Sequence, residues 1–489
     1  MKRNIGLSIE MRLAYRGLFV QARLAPLRLL GLGLLLAAVS TPVFAVDALP
    51  TGLAAKIDEI ARHALKESGV PSASIAVVRG GKSVYVKAYG DARLDPRTPA
   101  TSAMRYSIGS ISKEFTAAAI LMLQQQGKLS LDDKVAKYFP GLTDADRITI
   151  RQLLSHTSGY QDFWPQDYLI LIMKHATTPA FIMDTWARKP LDFAPGAQWQ
   201  YSNTNYTIAG AIVQKLTGQV PFEYLQQHLF SQLGIRDAYN TNLHALPSTD
   251  ARGYSRYALG PLRPSQKESV NWMYGAGELA MTASDLAKWD IAMMDNTLLK
   301  PASWRDMETV VVLNDGVASG YGLGVFVGDM DGHRMISHSG EVEGFTAGNY
   351  VFPDDHIAVV VLTNQDAVGA FGVIGKGIAN ALFTERDPAS DKALAQARAI
   401  FTGLQHGRID RGLFTANASS YFDATALDDY QRSLGALGEP KSFKIRATRK
   451  RGGMLMRAYD VIFAKMELDI VTYALPDGKL EQYMVSSAD

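Results

Sequence analysis

Before Glu385, strand-like segments occur in two groups separated by a long helical block, and this separation restricts the fold more than any other feature of the chain. The first group is SASIAVVRGGKSVYVKAYG from Ser72, two short apolar runs around Gly80-Gly81 that predict a hairpin. From Ser110 to about Asp295 the signals are mostly helical. Examples are YTIAGAIVQKLTG from Tyr206 and MTASDLAKWDIAMM from Met281, where Thr282 and Asp285 have capping spacing. Strand signals return in YGLGVFVGD from Tyr321, then RMISHSG, TAGNYVF and HIAVVVLTN. Before the first group, Leu53, Ile57, Ile60, Ala61 and Leu65 repeat at helical spacing, with Gly69 and Pro71 as stop signals. After the second, VIGKGIANALFTE from Val373 reads as a helix. The two strand groups are therefore expected to share one antiparallel sheet with the terminal helices packed on it. The helical block becomes an inserted lobe, an α+β architecture with a cleft between sheet and lobe.

Composition changes at both ends. Over the first 45 residues, Lys2, Arg3, Arg12, Arg16, Arg23 and Arg28 against Glu10 give +5. The apolar run LLGLGLLLAAV and the small-residue end STPVFA follow. This is the pattern of a secretory signal peptide cleaved after Ala45, and it implies a periplasmic or secreted protein. The whole chain carries +2, so the mature chain carries −3 and nucleic acid is not an expected partner. Cysteine is absent, which a chain large enough to build a core without disulfides tolerates. After Glu385, RDPASDK reads as a linker. Two helical segments and four strand-like segments between Lys441 and Ser487 then predict a small α+β domain. The expected boundaries are 1–45, 46–385 and 386–489. The basic stretch KSFKIRATRKR alternates with apolar residues and reads as a solvated strand face.

Three short motifs carry the chemistry. In IGSISKEFTAAAI, Ser110 and Lys113 fall at i and i+3 at the start of a helix, on one face. A serine at a helix start has backbone N–H groups and a dipole that favour an oxyanion. It becomes a nucleophile only when a neighbouring base takes its proton, and a lysine serves if burial lowers its pKa. Alone, Ser-x-x-Lys occurs by chance in a chain of this length, with the serine as a cap and the lysine in solvent. WQYSNTNY places Tyr201 and Asn203 before the helix from Tyr206. A phenol beside an amine can relay a proton, and an amide can orient a substrate; by themselves they read as a core tyrosine and a turn asparagine. ISHSGEVEGF places His338, Ser339 and Gly340 on a strand expected to rim the cleft, where a glycine admits a close backbone. His156, in LLSHTSGY, reads as a turn at a helix end. No Gly-x-Ser-x-Gly elbow, His-Glu-x-x-His or Gly-x-x-x-x-Gly-Lys loop occurs.

In this order the three motifs resemble those of the serine β-lactamase and penicillin-binding-protein superfamily. The similarity is to its class C-like branch, which also holds D,D-carboxypeptidases, D-aminopeptidases and esterases. GKLSLDD, FAPGAQWQYSN and GAGELAMTASDLAKW add to the likeness, which runs from about Leu53 to Leu382 and leaves out the C-terminal domain. The resemblance implies that Ser110 is acylated, Lys113 is its base partner, Tyr201 shuttles a proton and Asn203 orients substrate. It also implies an oxyanion hole from the backbone N–H groups of Ser110 and Glu341. It implies no cofactor and no metal, and a small-molecule or short-peptide substrate. One departure matters: the third motif of true β-lactamases is usually Lys-Thr-Gly, and here His338 and Ser339 precede Gly340. A histidine is only partly charged near neutrality, so a fixed cation for a substrate carboxylate is missing. The resemblance therefore implies an exported serine hydrolase of small esters or D-amino-acid-containing peptides. The alternatives are a true β-lactamase or D,D-carboxypeptidase, or a non-catalytic sensory or binding module.

Overall fold

The structure, a computed structural model, describes residues 49–488 except 50, 343 and 387–389. The expected signal peptide and the 387–389 part of the expected linker lie outside the described residues. Among the described residues, no helix is long and apolar enough to cross a membrane.

The two strand groups meet in one sheet. Strands β1 (Ser72–Arg79), β2 (Lys82–Leu94) and β3 (Arg97–Pro99) come from the first group. Strands β4 (Phe326–Met330), β5 (His333–Val342), β6 (Phe345–Phe352) and β7 (Ile357–Thr363) come from the second. The seven strands are ordered β3-β2-β1-β7-β6-β5-β4, all antiparallel. The join across the insertion is β1 against β7, with Ala73 opposite Thr363 and Arg79 opposite Ile357.

β1 and β7 are apolar at nearly every position because both faces are covered. Ile75, Val77, Val359 and Val361 face helix α1 (Thr51–Ser68) and the later helix α5 (Ala370–Arg386), with Ile57 and Ile378 in the same cluster. The alternate residues Ala76, Val78, Val360 and Leu362 face the inserted lobe and pack with Phe115 and Ile120. Each such valine, leucine, isoleucine or phenylalanine removed from water stabilises the fold by ~1.5–3 kcal/mol.

The lobe contains α2 (Ser112–Gln125), α3 (Asn203–Thr217) and α4 (Ala283–Met294). Thr282 caps α4 as expected, its hydroxyl accepting from Asp285 N at 3.1 Å. The lobe is less helical than its apolar content predicts. Residues 155–178 and 234–278 hold only turns, a four-residue 3-10 turn and two-residue strands. Prolines, glycines and aspartates there break the helical period. The expected strand from Tyr321 starts instead at Phe326, since Tyr321–Val325 is buried irregular chain.

Beyond α5, helices α6 (Ser390–Gln405) and α7 (Ala424–Gly435) pack on a second antiparallel sheet of β8 (Ser442–Arg451), β9 (Met454–Ile462), β10 (Glu467–Ala474) and β11 (Leu480–Ser487). Phe401, Phe443, Tyr459 and Tyr483 centre a separate core. On the other face Arg446 pairs with Asp460 at 2.7 Å and Asp469 at 3.0 Å.

Candidate active site

The turn before α2 is built around Gly109, whose φ of +50° lies in the left-handed region. Ser110 sits in this 3-10 turn, one step before the helix proper, and Lys113 lies in the first turn of α2. They remain at i, i+3. Strand β5 runs against this turn so closely that a Cβ on Gly340 would lie 1.9 Å from the Ile108 carbonyl oxygen and 3.2 Å from Ser110 N. A Cβ on Gly109 would lie 2.8 Å from Glu341 N. The two glycines thus bring the backbone nitrogens of Ser110 and Glu341 to one corner.

Lys113 is fully buried and reaches three polar groups. Its Nζ is 3.1 Å from Ser110 Oγ, 2.9 Å from Asn203 Oδ1 and 2.8 Å from the Ala276 carbonyl oxygen. Burial pushes its pKa down to about 7, against a smaller upward pull from Asp162. A neutral amine has two N–H groups, and Asn203 Oδ1 and the Ala276 carbonyl can only accept. They take both, which turns the lone pair of Lys113 toward the Ser110 hydroxyl.

Asn203 begins α3, and Asp162 holds it there. Asp162 Oδ1 accepts from Asn203 N at 2.9 Å, and Oδ2 accepts from Asn203 Nδ2 at 3.3 Å. The second bond fixes the amide orientation, since the nitrogen faces a carboxylate and the oxygen faces Lys113. Burial raises the Asp162 pKa, opposed by these bonds and by Lys113. Asp162 is a site residue that sequence reasoning missed. Its only local signal is an Asx turn to Trp164 N, at 3.2 Å.

Tyr201 lies over Lys113, whose Nζ is 4.8 Å from the ring centroid. Its hydroxyl is buried with no hydrogen-bond partner within reach, although it is near enough for the Ser110 hydroxyl to ease an upward pKa shift that burial dominates. His156 backs the ring, at 4.3 Å between centroids. It occupies the turn expected after a helix, with φ +59°. Its side chain does more than the turn requires. Nδ1 accepts from Ser202 N at 3.1 Å, so the proton is on Nε2, and burial holds the pKa well below the ordinary value.

His338 departs from expectation. It is 2% exposed, and its ring lies behind Tyr201 with 6.3 Å between centroids. Nδ1 faces the Ser339 carbonyl, which can only accept, so Nδ1 carries the proton and Nε2 accepts from Tyr321 Oη at 2.9 Å. Burial and the neighbouring Lys113 push its pKa down to about 3. The partly charged imidazole expected at the cleft is instead a neutral wall residue, because β5 turns position 338 inward. Ser339 faces outward, Gly340 is covered and Glu341 lines the cleft.

That cleft is open, with a volume of ≈ 900 Å³, and Ser110, Tyr201, Asn203 and Glu341 line it. Glu341 Oε1 accepts from Ala367 N at 2.8 Å. Its pKa is raised by burial and by the carboxylates of Asp366 and Asp167. No group of side chains among the described residues could hold a metal ion.

Comparison with known proteins bears on the same segment. Residues 57–381 match the Beta-lactamase family. The chain is 29% identical over 324 residues to Protein flp of Staphylococcus aureus (strain MW2), covering 64% of this chain and 63% of that protein, so it matches less than two thirds of that relative's length. It is similar to the structure of a D-stereospecific amidohydrolase from Streptomyces sp., with TM-score 0.57, 27% identity and coverage of 65% of this chain and 96% of that one. The fold is also similar to an octameric penicillin-binding protein homologue from Pyrococcus abyssi, with TM-score 0.60, 21% identity and coverage of 88% and 99%.

Proposed function

Since the chain belongs to the beta-lactamase family, a family of serine hydrolases, we propose that it forms an acyl-enzyme on Ser110 and hydrolyses ester or amide bonds of small substrates, among them those with a D-amino acid. The observation that carries this reading is the enclosure of Lys113 Nζ by two obligate acceptors and the Ser110 hydroxyl. The lone pair of Lys113 takes the Ser110 proton as Oγ attacks the substrate carbonyl. The oxyanion forms in the corner between the N–H groups of Ser110 and Glu341, where one donor is typically worth ~10²–10³ in rate. The proton passes through the otherwise unpartnered Tyr201 hydroxyl to the leaving oxygen or nitrogen. Water, activated by the same groups in reverse, releases the acid.

Two observations favour amino-terminal D-residue substrates over β-lactams. His338 is neutral, so it offers no cation to a carboxylate at the third motif. The carboxylates of Glu341, Asp366 and Asp167 suit a substrate ammonium beside the reacting carbonyl. The similarity to a D-stereospecific amidohydrolase points the same way. The leader pattern over residues 1–45 supports action outside the cytoplasm.

The test is covalent labelling. A fluorophosphonate should modify the protein on the peptide containing Ser110, and Ser110→Ala should abolish the label without changing the melting temperature. D-alanine amide and p-nitrophenyl acetate should be hydrolysed only by the unsubstituted protein. Equal labelling of Ser110→Ala would remove Ser110 from the reaction.

A further inference from the structure

Beside the catalytic cleft lies a second cavity of ≈ 360 Å³, which shares Ser265 and Val342 with the cleft as common wall. Its charged lining is unbalanced. Lys267 is matched by Glu268, at 2.6 Å, and Glu268 is buried. Arg93 and Arg252 also line the cavity, and among the described residues neither has a carboxylate partner. Arg93 is held by two backbone carbonyls, Nε to Asp250 O at 3.2 Å and Nη2 to Pro247 O at 3.2 Å. These bonds fix the guanidinium plane without neutralising it, and three of its five N–H donors remain. The nearby Asp250 carboxylate is already taken by Arg105, at 2.7 Å. Phe345 and Val342 supply an apolar surface.

A fixed guanidinium with spare donors and a second arginine around an open cavity form a receptor for a planar anion. We propose that this side cavity binds a carboxylate carried by the substrate away from the scissile bond, with Arg93 and Arg252 as its specificity-determining residues. The proposal rests on the acyl-enzyme reading for its substrate. It adds positive charge beside the cleft, on the arginines of β2 and of the segment before Gly253, to that of Lys174 and Arg256 in the cleft lining itself. A peptide with a free amino end at Glu341 and a free carboxyl end in the side cavity satisfies both charge patterns.

Binding to the Ser110→Ala protein tests the cavity without requiring turnover. Two matched pairs place the anion on either side of the scissile bond: D-alanyl-glycine against D-alanyl-glycinamide, and succinyl-D-alanine p-nitroanilide against its succinyl methyl ester. Calorimetry should show at least one acid binding about tenfold more tightly than its neutral partner, the effect of one charge-assisted contact. Arg93→Gln and Arg252→Gln should each reduce that ratio, and together bring it close to one, while the affinity of the neutral partner changes by less than about twofold. Arg252 is exposed, so Arg252→Glu should fold normally and reverse the preference. Absence of a preference for either acid, or a preference that survives the double substitution, would overturn the proposal. Acid-selective binding to Ser110→Ala with no labelling of the unsubstituted protein would retain the cavity and reject the acyl-enzyme reading instead.

Discussion

As the proposed base, Lys113 must act as a neutral amine, and burial lowers its pKa far enough for that form to exist near neutrality. Its pKa near 7 means that the amine is charged below that pH and free above it. Acylation should therefore rise with pH to a plateau above about 8 and be about tenfold lower at pH 6, read from the pH profile of kcat/KM on a short ester. Asp162 opposes the burial effect, so Asp162→Asn should move the acid limb to lower pH, since the neutral amine then persists further down. An unchanged limb would show that Asp162 only positions Asn203. His338 contributes nothing to this limb. With a pKa pushed down to about 3 it stays neutral at pH 6, so acidification should bring no gain for carboxylate-bearing substrates at that position. A lysine there would bury a charge in a wall that already holds Lys113 and His156.

Among the elements, β5 and the turn before α2 depend on each other. Gly340→Ala would place a methyl group 1.9 Å from the Ile108 carbonyl oxygen, and β5 must withdraw from Ser110. The oxyanion corner then opens, and kcat/KM should fall by ~10²-fold or more. Gly328→Ala in β4 meets nothing within 4 Å and should be silent, which controls for the loss of a strand glycine. A second joint links α2, α4 and β6. Asn349 Nδ2 donates to Asp290 Oδ1 at 2.9 Å and lies 3.3 Å from both Glu114 oxygens, while Trp289 Nε1 donates to Glu114 at 2.7 Å. Burial raises the Glu114 pKa to about 7 and puts that of Asp290 well above its usual range. Folded Glu114 therefore keeps a proton that the unfolded chain has lost between about pH 4.5 and 7. Stability should fall as pH rises through that window, by about 3 kcal/mol from this group alone. Glu114→Gln, a permanent mimic of the protonated acid, should flatten that fall in urea titrations at pH 5 and 7.5.

At the scale of the molecule, the described residues lining the cleft all precede Asp387 in sequence, the last of them being Ala367. The C-terminal sheet and helices have their own core and contribute nothing to that lining. Helix α5 ends against the main sheet, with Phe383 stacked on His333 at 3.7 Å, so a chain ending at Arg386 keeps this helix whole. We expect such a chain to hydrolyse p-nitrophenyl acetate within about threefold of the full-length rate, as for a domain with its own core. A folded truncation without activity would show that the C-terminal unit shapes the cleft. The two units also meet across a crevice of ≈ 640 Å³, with Asp331 and Asp354 on one wall and Arg449 and Lys450 on the other. The basic strand expected to face only solvent thus also borders the catalytic unit.

The sequence by itself determined the two strand groups on either side of an inserted lobe and pointed to four of the groups at the candidate site. Doubly buried strands must be apolar at consecutive positions, so β1 and β7 were legible as strands, and their separation required the insertion. Ser110 and Lys113 were legible because i, i+3 spacing on a helix is a local property. Tyr201 and Asn203 were legible only through the resemblance of the three motifs in order, since by themselves they read as a core tyrosine and a turn asparagine. Only the tertiary structure decided the remainder, because those contacts join residues far apart in the chain. Asp162 meets Asn203 from 41 residues away, and the Ala276 carbonyl meets Lys113 from 163 away. Local patterns carry no information about such distant partners. The charge of His338 was decided in the same way: the residue type allows a cation at neutral pH, and burial behind Tyr201 beside Lys113 removes it.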